Sequence, residues 1–277
     1  MFTRLLVGLD GSPGADAALE AALSLGRRFR TTIVVAAITD IRLLEAPLFE
    51  TTGPLWTEGL PAAPIAAELR EALDERAARI LETATARVAE AGLTSEPVRA
   101  VGLADEELIR LADQAEAIVV GRRGELHGEP GTLGAVTVRI IKRSPKPVLV
   151  AGEQPSACER PVVALDGGET SNHALALAAR YAEALGIPLT LVHVSDDAAA
   201  GEELLARAAA SLAEKGVAAR THRLAGDVTK SVTGFLAEHG ADLLIAGAHG
   251  GRRHAWAFGS HAEKLLRAAS IPVIIHR

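Results

Sequence analysis

Two basic segments bracketed by glycine hold most of the chemistry available to this 277-residue chain. The first, GRRGELHGEPGTLGA, runs from Gly121 to Ala135, and the second, GAHGGRRHAWAFGS, from Gly247 to Ser260. Each follows a short apolar run (AIVV, LLIA) and ends where a helical pattern starts, AVTVRIIKR or SHAEKLLRA. The first amides of a helix lack an internal acceptor and carry partial positive charge. Glycine removes the Cβ that would hold an anion at a distance. Arg122, Arg123 and His127 add cationic donors in the first segment, and His249, Arg252, Arg253 and His254 in the second. The combination predicts a phosphate cradle built on Gly121, Gly124 and Gly134, and again on Gly247, Gly250 and Gly259. For one such loop alone, arginines in water on an ordinary strand-to-helix connection outweigh the cradle; its repetition reverses the balance.

Each loop has an acid to face it. In LDGSPGADAAL, Asp10 ends an apolar run and precedes Ser12-Pro13, a helix N-cap followed by a first-turn proline. The second copy keeps Asp166 and Gly167 but puts Gly168 where the capping serine stands. A turn-forming aspartate is the plain alternative. Retention of the acid while the cap changes favours a ligand role, because a carboxylate accepts from a ribose hydroxyl or an adenine amino group.

The elements that must position these groups are duplicated. RLLVGLDGSPGADAAL (4–19) aligns with RPVVALDGGETSNHAL (160–175) at an offset of 156, and IVVGRRG (118–124) meets LIAGAHG (244–250) near 126. Between them the offset falls to about 124, so the first half carries about 32 extra residues, placed within 39–77. Short β-branched runs alternate with Ala/Leu/Glu/Arg stretches of helical spacing, including a long helix expected over 65–92 that Gly92 stops. This pattern predicts an α/β fold with five parallel strands per half, buried on both faces by helices. We expect domains over 1–152 and 160–277 with a linker at 153–159. The last strand of each half, PVLVAG and PVIIHR, is the expected pairing edge, since an open apolar edge invites aggregation. Ligands then bind beyond the strand carboxyl ends, where strand order reverses.

Composition narrows the class. Apolar residues at 48% allow a large core, built mainly from aliphatics because aromatics are only 3%. No apolar run approaches the ~20 residues of a membrane span, and MFTRLLVGLDG lacks a signal-peptide pattern, so a cytoplasmic protein without a membrane partner is expected. A net charge of −6 argues against nucleic acid as a partner. The single cysteine, Cys158, excludes an intrachain disulfide.

With these motifs in place, the two halves together resemble a tandem universal stress protein, whose nucleotide motif is Gly-x-x-Gly-x9-Gly followed by Ser or Thr. The first half matches the spacing but has Ala135 at the hydroxyl position; the second keeps Ser260 but is one residue short between Gly250 and Gly259. The resemblance implies two repeated Rossmann-like domains of the adenine nucleotide α-hydrolase-like type, and ATP, with or without magnesium, as the ligand. It implies that Asp10 and Asp166 hold the adenosine end and that the backbone at Ile38 and Val194 meets adenine. The glycines with Ala135 or Ser260 would hold ribose and phosphates, beside Arg123 and His249. Val136 fits the small apolar residue expected next, whereas His261 does not. An internal pseudo-two-fold, as in the family's dimers, is also implied, and a homodimer is compatible with it.

No P-loop or dinucleotide fingerprint is present. DGGETS (166–171) lacks the serine and aspartate of an adenylating pyrophosphate loop. His249, His254 and His261 could converge on zinc, though loop histidines more often face solvent or phosphate. No motif positions a general base or activates Cys158. The expected class is therefore an adenine-nucleotide-binding stress sensor rather than an enzyme, with slow ATP hydrolysis left open. The rival class is an interaction adaptor whose sites are degenerate. The 43–64 stretch with Phe49 and Trp56 reads as a lid or as a surface loop with apolar anchors.

Overall fold

A computed structural model describes residues 2–42, 62–125, 132–248 and 260–277. The proposed lid falls largely in the remainder, so it lies outside the described residues. The first half runs β1 (Arg4–Leu9), α1 (Pro13–Phe29), β2 (Thr32–Asp40), α2 (Ala62–Glu90), β3 (Ser95–Gly102), α3 (Ala104–Leu111), β4 (Ala117–Val120), α4 (Ala135–Arg143) and β5 (Val148–Val150). The second half runs β6 (Pro161–Leu165), α5 (Glu169–Leu185), β7 (Leu189–Val194), α6 (Ala198–Ala213), β8 (Ala219–Leu224), α7 (Val228–Glu238), β9 (Leu243–Gly247), α8 (Ser260–Ala268) and β10 (Val273–His276). The expected long helix is α2, and Gly92 just beyond it takes the left-handed φ of 72° that stops it.

All ten strands form one sheet, ordered β3-β2-β1-β4-β5-β10-β9-β6-β7-β8. Pairing is parallel within each half, and β5 meets β10 antiparallel, Leu149 opposite Ile274. The two terminal edges that the sequence marks do pair. Period-two alternation explains the layers. Leu5, Val7 and Leu9 of β1 face a core shared with α1 and α2, while Leu6 faces the core under α3 and α4. Both cores continue through the β5–β10 seam into the second half, the first under α5 and α6 and the second under α7 and α8.

Strand β1 lies between β2 and β4, and β6 between β7 and β9. The chain leaves these central strands in opposite directions, which opens a crevice at their carboxyl ends. At the first crevice the N-cap is as the sequence predicts. Ser12 is extended (φ −80°, ψ 161°) and its hydroxyl accepts the Ala15 N–H at 3.1 Å. Ser12→Ala is expected to lower stability by about 1 kcal/mol, read as a shifted urea midpoint with an unchanged slope.

Candidate functional site

A cavity of about 200 Å³ opens at the first crevice, and eight of the first-half residues singled out above line it: Asp10, Ile38, Gly121, Arg123, Gly124, Gly134, Ala135 and Val136. Strand ends supply the first two, and the β4–α4 loop with the start of α4 supplies the rest. Leu9, Leu108 and Val120 give it apolar walls.

Backbone direction decides what the strand ends can offer. Thr32 donates its N–H to Thr3 O at 2.9 Å, and Ile33 donates to Thr94 O at 2.8 Å. Even-numbered residues of β2 therefore face β1, and odd-numbered ones face β3. Strand β1 stops at Leu9 opposite Ala37, whereas β2 continues against β3 to Asp40. The Ile38 carbonyl and the Asp40 N–H thus reach past the end of β1, beside the cavity that both residues line. They present an acceptor next to a donor, the complement of adenine's amino group and adjacent ring nitrogen.

The Asp10 carboxylate joins two loops. Its Oδ1 accepts the Ser12 N–H at 3.0 Å, which is the turn role, and its Oδ2 accepts the Glu125 N–H at 2.8 Å from the β4–α4 loop. Each oxygen keeps a lone pair for a further donor. From α2, Arg76 donates to the main-chain oxygen of Asp10 at 2.8 Å and to Glu125 at 2.7 Å. Helix α2, which begins inside the 39–77 stretch, therefore braces the acid's own turn.

The glycines have more to do than admit an anion. A Cβ on Gly121 would stand 2.4 Å from the main chain of Gly14, and one on Gly124 would stand 2.4 Å from Asp10 Oδ2. Glycine at these two places lets the protein's own loops close on each other. The Gly134 N–H also differs from expectation, because it donates to Arg122 O at 2.8 Å. Gly134 is the N-cap of α4 and supplies no side-chain cap. The first-turn amides left without an intrahelical acceptor are those of Ala135, Val136 and Thr137. The Thr137 hydroxyl donates to Gly121 O at 2.9 Å and fixes the loop against the helix.

Of the two loop arginines, Arg123 is exposed and lines the cavity. Arg122 was expected to help hold an anion, but its guanidinium turns toward the Ala151 carbonyl at the end of the first half and carbonyls of the second half. Burial there lowers the Arg122 pKa from its ordinary value; nearby Glu153 opposes that shift and Arg123 adds to it.

Sequence reading missed a charged cluster at the α3–α4 end of the cavity. Asp40, Arg42 and Arg139 line the cavity, and Asp105, 2% exposed, pairs with Arg139 Nε at 3.0 Å and with Arg143 at 3.2 Å. Arg139 was legible in principle, since it lies one helical turn beyond Ala135. Asp40 and Arg42 fell inside the stretch assigned to the insertion. Burial works to raise the Asp40 pKa, but hydrogen bonds from the Arg42 side chain and main chain and from the Ala104 N–H outweigh it, so the carboxyl sits below its usual range. A carboxyl depressed on folding stabilises the fold above its unfolded pKa and loses that contribution as pH falls through the folded value. Asp40→Asn should therefore cost about 1 kcal/mol near neutral pH, Arg42 being partly screened by water. The gap should close in acid, as read from urea midpoints across pH.

At the second crevice, Asp166, Val194 and Gly247 line a smaller cavity of about 110 Å³ with His193 and His261. Asp166 is exposed and accepts the Gly168 N–H at 2.8 Å. Val194 faces the β6 side just past the last β6–β7 pair, Leu165 with His193. Ser260 is the first residue of α8. His127, His249, Gly250, Arg252, Arg253, His254 and Gly259 lie outside the described residues. Among the described residues no three His, Cys, Asp or Glu side chains gather as a metal site. No helix among them is long and apolar enough to cross a membrane.

The chain is similar to known proteins over nearly its whole length. Universal stress protein Slr1230 of Synechocystis is 28% identical over 285 residues, covering 99% of both chains. Universal stress protein Rv2005c of Mycobacterium tuberculosis is 25% identical, covering 99% of this chain and 96% of its own. The crystal structure of a universal stress protein from Archaeoglobus fulgidus superposes with a TM-score of 0.77 at 20% identity, covering 99% of this chain and 96% of that one, and so shares the fold. The model of the universal stress protein family matches twice, over residues 1–152 and 159–277. With two family matches that together span nearly all of it, the chain belongs to the universal stress protein family.

Proposed function

We propose that the chain is an adenine-nucleotide-binding sensor of the stress response, with ATP held in the first crevice. The observation that carries this reading is the gathering of eight residues, named from their chemistry or from the family resemblance, around one cavity with apolar walls. The base sits between Leu108, Val120 and Val136, its edge read by the Ile38 carbonyl and the Asp40 N–H. The spare lone pairs of Asp10 accept from ribose hydroxyls. The first-turn amides of α4 and the Arg123 guanidinium hold phosphate. Ala135 removes one hydroxyl contact, about 1 kcal/mol or fivefold in affinity, and leaves the backbone donors in place. Magnesium, if bound, travels with the phosphates. The second crevice is a further site of the same kind, built on Asp166, Val194, Gly247 and the start of α8.

Two measurements test the reading. Freshly purified protein is denatured and the released small molecules identified, and ATP is titrated into the empty protein by calorimetry. Bound adenine nucleotide, or saturable heat with ATP, supports the sensor. An empty protein that gives no heat with ATP replaces the sensor with the adaptor.

A further inference from the structure

Arg122 lies between the two loop glycines of the first crevice, and its two ends are tied to different things. Its main-chain oxygen accepts the Gly134 N–H, which fixes the start of α4. Its guanidinium crosses the β5–β10 seam. Nε donates to Ala151 O at 3.1 Å, Nη1 to Leu266 O, and Nη2 to Ala269 O and to Ile271 O at 3.1 Å. Leu266 lies in the last turn of α8 and Ala269 and Ile271 just after it. Carbonyls at a helix C-terminus lack intrahelical donors and carry partial negative charge, so a planar cation with several N–H groups suits them. Arg122 thus caps, from the first crevice, the helix that begins at the second.

The reverse link comes from a different place in the chain. Arg277 follows His276, which pairs with Gly247 at the second crevice, and it donates to Lys142 O in the last turn of α4. The position matching Arg122 in the second half is Ala248, so duplication alone does not account for either link. Helices α4 and α8 each start at one crevice and end on an arginine rooted at the other. At ~1.5 Å per residue, α8 is a short stiff rod that carries a shift from one end to the other.

We propose that Arg122 is a positioning residue that couples the two crevices: displacement or ordering of the 121–124 loop moves the C-terminal anchor of α8, and with it the start of α8 at the second crevice. This rests on the reading of both crevices as ligand sites, and the test is chosen to stand apart from it.

Amide hydrogen exchange is followed by mass spectrometry on the full chain without nucleotide. The proteins are wild type, Asp10→Ala, Arg122→Ala, Arg122→Lys, the double variant Asp10→Ala/Arg122→Ala, and Arg277→Ala. Asp10→Ala removes the bond between the Glu125 N–H and the Asp10 carboxylate and loosens the first loop. It should speed exchange in peptides covering 260–269 about tenfold, the effect of losing one charge-assisted bond. Arg122→Ala should speed the same peptides, and adding Asp10→Ala should then change them no further. A merely structural arginine would give effects that add. Arg122→Lys keeps the charge but not the fork, so it should fall between, and it carries the cycle if the alanine variant does not fold. Arg277→Ala should loosen 135–143 instead. Unchanged exchange in α8 on losing Arg122, or additive effects in the double variant, overturns the proposal. Calorimetry with ATP separately decides the ligand: failure to bind removes the proposed function and leaves the exchange result to decide the coupling.

Discussion

Gly14→Ala should lower the affinity of the first crevice for ATP at least about tenfold and cost about 2 kcal/mol of stability. The added Cβ would stand 2.0 Å from the main-chain oxygen of Arg123. Neither side can yield cheaply, since Gly14 is in the first turn of α1 and Arg123 sits between Gly121, pressed against Gly14, and Gly124, pressed against the Asp10 carboxylate. The loop has to move outward, taking with it the wall of the cavity and the Arg123 guanidinium. Gly124→Ala is milder in expectation, because its Cβ meets the Asp10 carboxylate, which can turn aside at the cost of the Glu125 bond. Gly234→Ala is the control. It lies within α7 with no atom within 4 Å of the new Cβ, and should stabilise by up to ~1 kcal/mol through helix propensity. Calorimetry and chemical denaturation of the three variants read both effects. Wild-type affinity and a stability change within ~0.5 kcal/mol for Gly14→Ala would show that the loop does not form the cavity wall as described.

What made Gly14 invisible beforehand separates the legible part of this site from the rest. Asp10, Ser12 and Gly134 were readable because each acts within a few residues of its own strand end or helix start, where spacing carries the information, and Val136 followed from the family resemblance. Gly14 acts on Arg123, and Gly121 acts back on Gly14, more than a hundred positions away. Arg122 looks like an anion ligand in its own loop. Its partners Leu266, Ala269 and Ile271 are main-chain oxygens, so no side-chain pattern at those positions announces the contact. Asp40 and Arg42 were hidden for another reason. The 156-residue offset that reveals the duplication breaks down after Ile38, and both residues fell on the wrong side of the break. The sheet was legible almost in full, including its seam. Central strands buried on both faces are written as unbroken apolar runs, whereas the edge strands β3 and β8 alternate part-buried with exposed residues, and each final run, paired on one side with β4 or β9, had its other edge to cover.

The segment between β5 and β6 carries the other large expectation. In sequence it is polar and reads as a linker, yet it is packed. Ser156 accepts the Ser24 hydroxyl at 2.7 Å through its main-chain oxygen and donates its own hydroxyl to Asp242 O at 2.5 Å. The Glu159 and Arg160 N–H groups both donate to the Asp242 carboxylate. Cys158 is fully buried, and burial pushes its thiol up to about 11, so it stays protonated at neutral pH and is no nucleophile.

Cys158 also holds a left-handed backbone, φ 55°, which costs a non-glycine residue roughly 1 kcal/mol or more. Two bonds hold it there: its N–H to the Ser156 hydroxyl at 3.1 Å, and its carbonyl from the Tyr181 hydroxyl at 2.6 Å. Tyr181 is itself 0% exposed and packs edge-on against both Phe2 and Phe29, with ring centroids 6.4 and 5.5 Å away. In a chain with so few aromatics, one cluster joins the amino-terminal strand, α1, α5 and the connecting segment. Tyr181→Ala should therefore cost about 4 kcal/mol, the sum of a large cavity and a freed carbonyl. Tyr181→Phe keeps the ring and isolates the carbonyl, and should cost about 1–2 kcal/mol. Urea titrations of both variants separate the two contributions. If Tyr181→Phe matches the wild type while Tyr181→Ala is severe, the ring alone holds the segment, and the hydroxyl bond to Cys158 is incidental to its backbone conformation.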